Sequence, residues 1–433
     1  MNHLALTVAV GVICCSSIIA FDPSQITNTL SLANDLGGFI ESQDFSKTAS
    51  KLISTVSPFL GIIGSVLSFA FGFLDSGPSA ELLAIQNLYH EVSTRFDRID
   101  QQFAAVTREI QWVSIEAHYG TFESTIHSIG DAYRHLTNSK SKAEYEARKF
   151  LFKDAFRSYN KAGEQIYDGI MGQSNMFNAP IFDEAITHLK WDRKKIQEFM
   201  LGVTKLLINA AAIEVAYYQL INPSTAPFIQ HDWVVRFEHL KSTMLAVDHR
   251  LETKFGNQVH LDVEEYISHH GHDSNCDITN KLYNIIATKY YWRNWLVVTT
   301  DHCTDNHMFM AHACGGGTIN RQYNKNVVVA SVDKTKAHLT TTEQRVVNSV
   351  QTTQTFHIMH GGKRDLTKRV GYRRNYADVA YNTFPSAARA ATCDSHYAAI
   401  GVIDHSLHTC WRSPSQHLFS RAGDRYYEVF AFG

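Results

Sequence analysis

His269, His270 and His272, followed by Asp273 and Cys276, bring imidazole, carboxylate and thiol donors into one short stretch. Such donors suit zinc or copper. Their spacing matches no structural zinc pattern, and a cysteine in an oxidising compartment more often forms a disulfide, so neither a metal nor another cofactor is expected. Histidine is abundant throughout, 23 in all, roughly twice the average supply. Histidines that charge between about pH 7 and 5 would strain buried interfaces and give an acid sensor. Ordinary surface or hydrogen-bonding histidines are the simpler reading.

No catalytic constellation accompanies them. The chain has no nucleophile elbow, HExxH, P-loop or dinucleotide fingerprint. His360-Gly361-Gly362 has the composition of an oxyanion-loop fragment, but without a Gly-x-Ser-x-Gly turn it reads as a plain glycine turn. Gly315-Gly316-Gly317 likewise precedes no helix start that would make it a phosphate cradle. No catalytic residue is assigned, and the chain is not expected to be an enzyme. Three basic pairs, Lys363-Arg364, Lys368-Arg369 and Arg373-Arg374, recur every five residues. They are candidates for holding sulfated glycans or lipid headgroups by charge, against the plainer reading of a solvated loop. Glu214 stands alone in the nearly uncharged run LLINAAAIEVAYYQLI. It reads either as an acid-sensitive group in a membrane-entering segment or, as the favoured alternative, as a carboxylate that points to the bundle edge or pairs with a neighbouring Lys or His.

The elements that would position such groups are organised around residues 52–74, which carry no ionisable side chain between Lys51 and Asp75. That length exceeds the roughly 20 apolar residues needed to cross a bilayer core. Gly64, Ser68 and Gly72 share one ridge, with Gly61 and Ser65 beside it, and small residues at that spacing allow close helix approach. An all-round apolar helix is either buried or membrane-spanning, and a helix stored in a bundle and then released satisfies both. Phe59, Leu60, Gly61, Ile62, Ile63, Gly64, Val66, Leu67, Ser68, Phe69, Phe71 and Gly72 are therefore the candidate membrane-interaction residues. Pro58 should start or kink the helix.

After the break at Asp75–Ser79, a heptad stripe runs from Leu82 to Val113. A second stripe, Trp112, Ile115, Tyr119, Phe122, Ile126, Ile129, Tyr133 and Leu136, continues on a displaced face. Ser79 to Leu136, if helical throughout, makes a rod on the order of 85 Å. Ser141 and Glu144 form a capping box for a helix whose apolar side holds Phe152, Phe156, Tyr159, Ile166 and Ile170. A long helix is expected from Asp183 to Ile221, stopped by Asn222-Pro223, and another over 230–256, ended by Gly256-Asn257. Shorter helices follow near Asp262–Ser268 and Asp277–Tyr290. Six short β-branched or aromatic runs then appear, at 295–301, 326–332, 353–359, 396–404, 407–413 and 425–432. The fold class is α+β, mainly α: an elongated antiparallel bundle with long coiled-coil-like helices, then a smaller β-rich domain. The division expected is 1–20, 21–291 and 292–433.

Residues 1–20 read as a removed signal peptide: an apolar run from Leu4 to Ile19 with Ala20 at the cleavage position, although the n-region lacks Lys and Arg. The protein is thus expected to be secreted. Cleavage leaves Cys276, Cys303, Cys314, Cys393 and Cys410, enough for two disulfides of undetermined pairing and one further thiol. Asn222 heads the sole Asn-x-Ser/Thr pattern and is followed by proline, so no N-glycosylation is expected. A formal net charge of −2 argues against nucleic acid as a partner.

The order of these parts resembles secreted proteins of the cephalotoxin and rapunzel type. The likeness rests on the Gly/Ser-rich apolar helix ending in GFL (72–74), the Pro-Ser break, Glu81-Leu82-Leu83-Ala84-Ile85, Phe96-Asp97-Arg98-Ile99, Ile110-Gln111-Trp112 and WRNWLVV at 292–298. That resemblance, and theirs to α-helical pore-forming toxins, implies a bundle hiding a membrane-active helix and a β-rich module that recognises a target; no catalytic residue comes with it. Three readings follow: a membrane-active protein that engages a membrane, cell-surface receptor or glycan, with assembly of copies as a further expectation; a non-lytic secreted binding or structural module whose apolar helix stays buried; and an extracellular enzyme built on the C-terminal domain, the least supported.

Overall fold

The computed structural model describes residues 44–54, 56–61, 63, 116–301, 309–313, 318–335, 356–360, 363–368, 398–414, 418–422 and 427–433. The expected leader, the first heptad stripe and residues 64–74 lie outside the described residues. The helices are α1 (Phe45–Ser54), α2 (Glu116–Thr137), α3 (Lys142–Phe156), α4 (Ala162–Met171), α5 (Ile181–His188), α6 (Arg193–Ile221), α7 (Ala226–Thr253), α8 (Gly256–His270) and α9 (Asn275–Lys289). All ten described strands follow, so the fold is α+β and mainly helical, with its strands in the C-terminal part.

The chain forms two compact units. One takes Gly120–Tyr167 and Thr204–Lys241 with the described residues of Met1–Gln101. The other takes Asp168–Val203 and Ser242–Gly433, with the described end of Gln102–Tyr119.

The first unit is helical because its apolar residues recur with helical period. Phe122, Ile126, Ile129, Tyr133 and Leu136 of α2 are all buried, as one unbroken stripe requires. At the start of α3, the Ser141 hydroxyl accepts the Glu144 N–H at 3.2 Å. The Glu144 carboxylate reaches back past Ser141 to the Lys140 N–H at 2.8 Å. The single helix expected from Phe152 to Ile170 is two helices. Asn160 (φ 42) and Lys161 (φ 55) are left-handed and turn the chain between α3 and α4, while Phe156 stacks on both Tyr159 and Tyr217.

In the second unit, Lys190 (φ 49) and Trp191 (φ 61) likewise divide the expected Asp183–Ile221 helix into α5 and α6. Neither break contains Gly or Pro. The heptad residues of α7 are buried as their spacing requires, from Phe237 to Leu251. Gly256, read as the end of that helix, instead opens α8.

The strands of the second unit are β1 (Arg293–Asp301), β2 (Phe309–Ala313), β3 (Thr318–Asn320), β4 (Lys325–Asp333), β5 (Phe356–His360), β6 (Lys363–Lys368), β7 (Ala399–Asp404), β8 (Thr409–Arg412), β9 (Leu418–Ala422) and β10 (Tyr427–Phe432). They form sheets ordered β3-β4-β1-β8 and β2-β7-β10-β9, and the hairpin β5-β6; every pairing is antiparallel. Two cores lie on opposite faces of the first sheet. Trp295, Val297, Val327 and Val329 pack with Val259, Val263, Ile267, Ile278, Leu282 and Ile286 of α8 and α9. Leu296, Val298, Val328 and Ala330 pack with Ile403, Phe430 and Phe432 of the second sheet. A strand covered on both faces needs apolar residues at consecutive positions, which is why WLVV and VVVA do not alternate with polar residues.

Candidate functional site

Residues 56–61 continue in helical conformation after α1, and residue 63 is helical as well. Val56 and Leu60 are buried there, with Phe59 and Ile63. Gly61 lies beside α7, where a Cβ would sit 3.5 Å from Gln230 Nε2, and Gln230 donates to the Ser57 carbonyl at 3.5 Å. Four of the candidate membrane-interaction residues, Phe59, Leu60, Gly61 and Ile63, thus share one short helical stretch. Ile62, Gly64, Val66, Leu67, Ser68, Phe69, Phe71 and Gly72 lie outside the described residues.

A second apolar element contributes to the same unit. Among the described residues α6 is the one helix long and apolar enough to cross a membrane, and 94% of its apolar window is buried. Its part in this unit, from Thr204 onward, returns through Asn222–Thr225 into α7 as a helical hairpin. Glu214 of α6 accepts a hydrogen bond from the Trp233 indole of α7 at 2.8 Å and is only 7% exposed. The sequence favoured either a bundle edge or a Lys or His partner for this carboxylate. The structure places it inside the core with an indole as its hydrogen-bond donor.

The surroundings of Glu214 are built by close approach. A Cβ on Gly163 of α4 would fall 2.5 Å from the Ala210 Cβ and 3.1 Å from the Trp233 ring, and the Gly163 N–H donates to the Tyr159 hydroxyl at 3.2 Å. Arg236 of α7 pairs with Glu164 of α4 at 3.0 Å and lies 5.0 Å from the centre of the Trp233 ring. Burial pushes the Glu214 carboxyl above the usual carboxylate range; the Trp233 N–H opposes the shift, Glu164 adds to it, and Arg236 and Lys161 oppose it. Burial and the nearby Glu214 charge also raise Tyr159 well above an ordinary phenol. Chemically, this is a proton-binding group inside an apolar core, the condition under which a carboxyl readily becomes neutral. Nothing in sequence spacing signals the Glu214–Trp233 contact, because the partners lie on different helices.

The second unit separates the residues of the histidine cluster. His269 bonds through Nδ1 to the Glu265 carbonyl at 2.8 Å. His270 faces Asp273 at 3.4 Å and stacks on Tyr266. His272 meets the ring of Tyr323 edge-on, and Cys276 is joined to Cys410 in a disulfide. Among the described residues, the potential metal ligands that do converge are Cys276, His408 and Cys410, two of them held in that disulfide. Around it, buried Asn275 donates to Asp301 Oδ1 at 2.9 Å and to the His408 carbonyl at 2.6 Å. Its amide oxygen accepts from Lys325 Nζ at 2.6 Å. This arrangement is a staple between α9 and β8. Cys303, Cys314 and Cys393 lie outside the described residues.

Of the basic pairs, Lys363, Arg364 and Lys368 fall on β6, which is paired with β5 from Phe356↔Lys368 to His360↔Lys363. Arg369, Arg373 and Arg374 lie outside the described residues. Gly361 and Gly362, read from the sequence as a plain glycine turn, lie outside the described residues.

Residues 75–272 match the family model of the cephalotoxin-like middle helical domain. Protein rapunzel of Danio rerio is similar to this chain, 21% identical over 188 residues that cover 42% of this chain and 80% of rapunzel. No solved structure matches the chain. The chain is thus similar to a cephalotoxin-like helical domain over residues 75–272 and, over part of its length, to rapunzel.

Proposed function

We propose that the protein is secreted and membrane-active, of α-helical pore-forming type, with the apolar segment that begins at residue 52 stored in the helical unit and released to lipid. The observation that carries this reading is the burial of Val56, Phe59, Leu60 and Ile63 on one helical stretch. Burial of these apolar side chains is what storage of such a helix in water calls for. The similarity to the cephalotoxin-like middle helical domain supports it, and the Cys276–Cys410 disulfide fits an oxidising compartment. On this reading the β-rich part recognises the target surface. The basic residues Lys363, Arg364, Lys368, Arg369, Arg373 and Arg374 are its candidates for anionic headgroups or glycans.

The test is dye release from vesicles by the mature chain at about pH 7.4 and about pH 5. A Gly61→Cys/Gln230→Cys variant is compared before and after bridging with a short bismaleimide, and the wild type treated with the same reagent is the control. Release by the wild type and by the unbridged variant, lost on bridging, is the expected result. No release by the wild type at either pH overturns the proposal in favour of a non-lytic secreted binding module whose apolar helix stays buried.

A further inference from the structure

The stretch Leu206–Gln230 carries one ionisable side chain, Glu214, apart from the phenols of Tyr217 and Tyr218, and is bracketed by Lys205 and His231. It comprises the end of α6, the turn and the start of α7. The turn Asn222-Pro223-Ser224-Thr225 contains no charge, and its flanks expose large apolar side chains, Ile221 at 41% and Phe228 at 72%. A soluble hairpin usually covers its tip with charged residues; here the tip is neutral and presents an aromatic ring to solvent. Residues 206–221 supply about 24 Å of helix at 1.5 Å per residue, and the tip adds to that length, against a hydrocarbon core of about 30 Å. Beyond Gln230 the helix returns with His231, Asp232, Arg236, Glu238, His239 and Lys241, a charge density suited to the interface and not to hydrocarbon.

We propose that the end of the α6–α7 hairpin is a second bilayer-entering element, with the Ile221–Phe228 tip leading and Glu214 crossing as the neutral acid. This inference rests on the membrane-active reading above but assigns entry to a different segment from residues 52–74. A lipid bilayer is the partner because the α6 limb behind the tip runs about 24 Å with Glu214 as its one ionisable group apart from the tyrosine phenols, whereas a protein partner for the tip would require neither the buried apolar helix behind it nor the tip's lack of charge.

Glu214 makes the entry depend on acid. The groups acting on it are Tyr159 and Lys161 ahead of α4, Glu164 on α4, and Trp233 and Arg236 on α7. α2 meets α6 next door, where a Cβ on Gly130 would lie 3.6 Å from Ile213. A carboxylate in hydrocarbon is costly, while the protonated acid still accepts the indole hydrogen bond. Burial has already raised the affinity of this carboxyl for a proton, so acidification prepares the segment for lipid without breaking its contact with Trp233.

The test places an environment-sensitive fluorophore (NBD) on Ser224→Cys, an exposed turn residue, with labelled wild type as background. Anionic phosphatidylcholine/phosphatidylglycerol vesicles are added at about pH 7.4 and about pH 5, and flotation reports binding. The expected result is a severalfold rise in emission at the acid pH, with protection from external dithionite. In the Glu214→Gln background the same rise should occur at both pH values. A tip label that stays dim and dithionite-accessible while vesicles bind or leak overturns this inference and leaves the membrane-active reading standing. Absence of flotation and leakage overturns both. An unchanged pH profile in Glu214→Gln overturns the role given to the carboxyl.

Discussion

The two units hold their cores by different means. Beyond Cys15 the first has no cysteine, so its helices are held together by side-chain packing and by polar contacts such as Glu214–Trp233 and Glu164–Arg236. The second is layered, helices on sheet on sheet, and is closed covalently between Cys276 and Cys410 across 134 residues. An apolar helix can leave a noncovalent bundle when lipid offers an equivalent environment, whereas a disulfide-closed sandwich keeps its shape. The difference fits a division of labour between a part that rearranges and a part that recognises.

The largest test of that contrast removes the staple. Cys276→Ala with Cys410→Ala frees a long loop in the unfolded chain, for which the chain-entropy argument gives about 5 kcal/mol. Hydrogen exchange followed by mass spectrometry should show lost protection in β1, β4 and β8 and none in α2 or α3. Equal loss in both units would abolish the contrast.

Next comes the ion pair of the second unit. Arg193 donates to both Asp248 carboxylate oxygens, at 2.8 and 2.7 Å, and both side chains are 11% exposed. Gln197 adds a hydrogen bond to Asp248 at 2.7 Å, and the guanidinium lies 5.0 Å from the Trp292 ring centre. Arg193→Ala leaves a mostly buried carboxylate short of its main partner, and should cost about 3 kcal/mol, measured by urea denaturation.

A matched pair of glycine substitutions comes third. Gly163→Ala forces a Cβ to 2.5 Å from the Ala210 Cβ in the first unit, and Gly401→Ala forces one to 2.2 Å from the Phe430 ring in the second. Each should destabilise its own unit by about 1–3 kcal/mol, the usual range for overpacking. Exchange protection would show whether each effect stays local.

How far this contrast was legible in the sequence depended on burial. WLVVTTD and NVVVASV read as strands because both faces of β1 and β4 are covered. Four of the described strands were not read: β2, β3, β6 and β9. Of these β2, β3 and β9 are sheet edges and β6 belongs to a two-stranded hairpin; with fewer neighbours, such strands impose less of an apolar run. The α2 stripe was legible because a single face packs throughout. The breaks at Asn160-Lys161 and Lys190-Trp191 were hidden because ordinary residues adopt the left-handed turn there. The individual partners of the histidine cluster were not legible. Its members are near in sequence, but helix geometry and Tyr323 send them to separate partners.

The smallest expected effect sharpens the comparison most, because it asks whether the first unit is tuned by protons. Burial raises the Glu214 carboxyl above its ordinary value. The folded state therefore binds this proton more tightly than the unfolded chain, and the carboxyl's contribution to stability grows as pH falls from neutrality through its raised value. Acid alone thus does not loosen the bundle at Glu214; it secures the helix in water while lowering the cost of lipid. Glu214→Gln keeps an acceptor for Trp233 and removes the titration. The difference in urea midpoint between variant and wild type should favour the variant at neutral pH and shrink on acidification. A difference independent of pH would show that the carboxyl is a structural acceptor alone, and the first unit would then differ from the second in its cross-linking but not in any response to acid centred on Glu214.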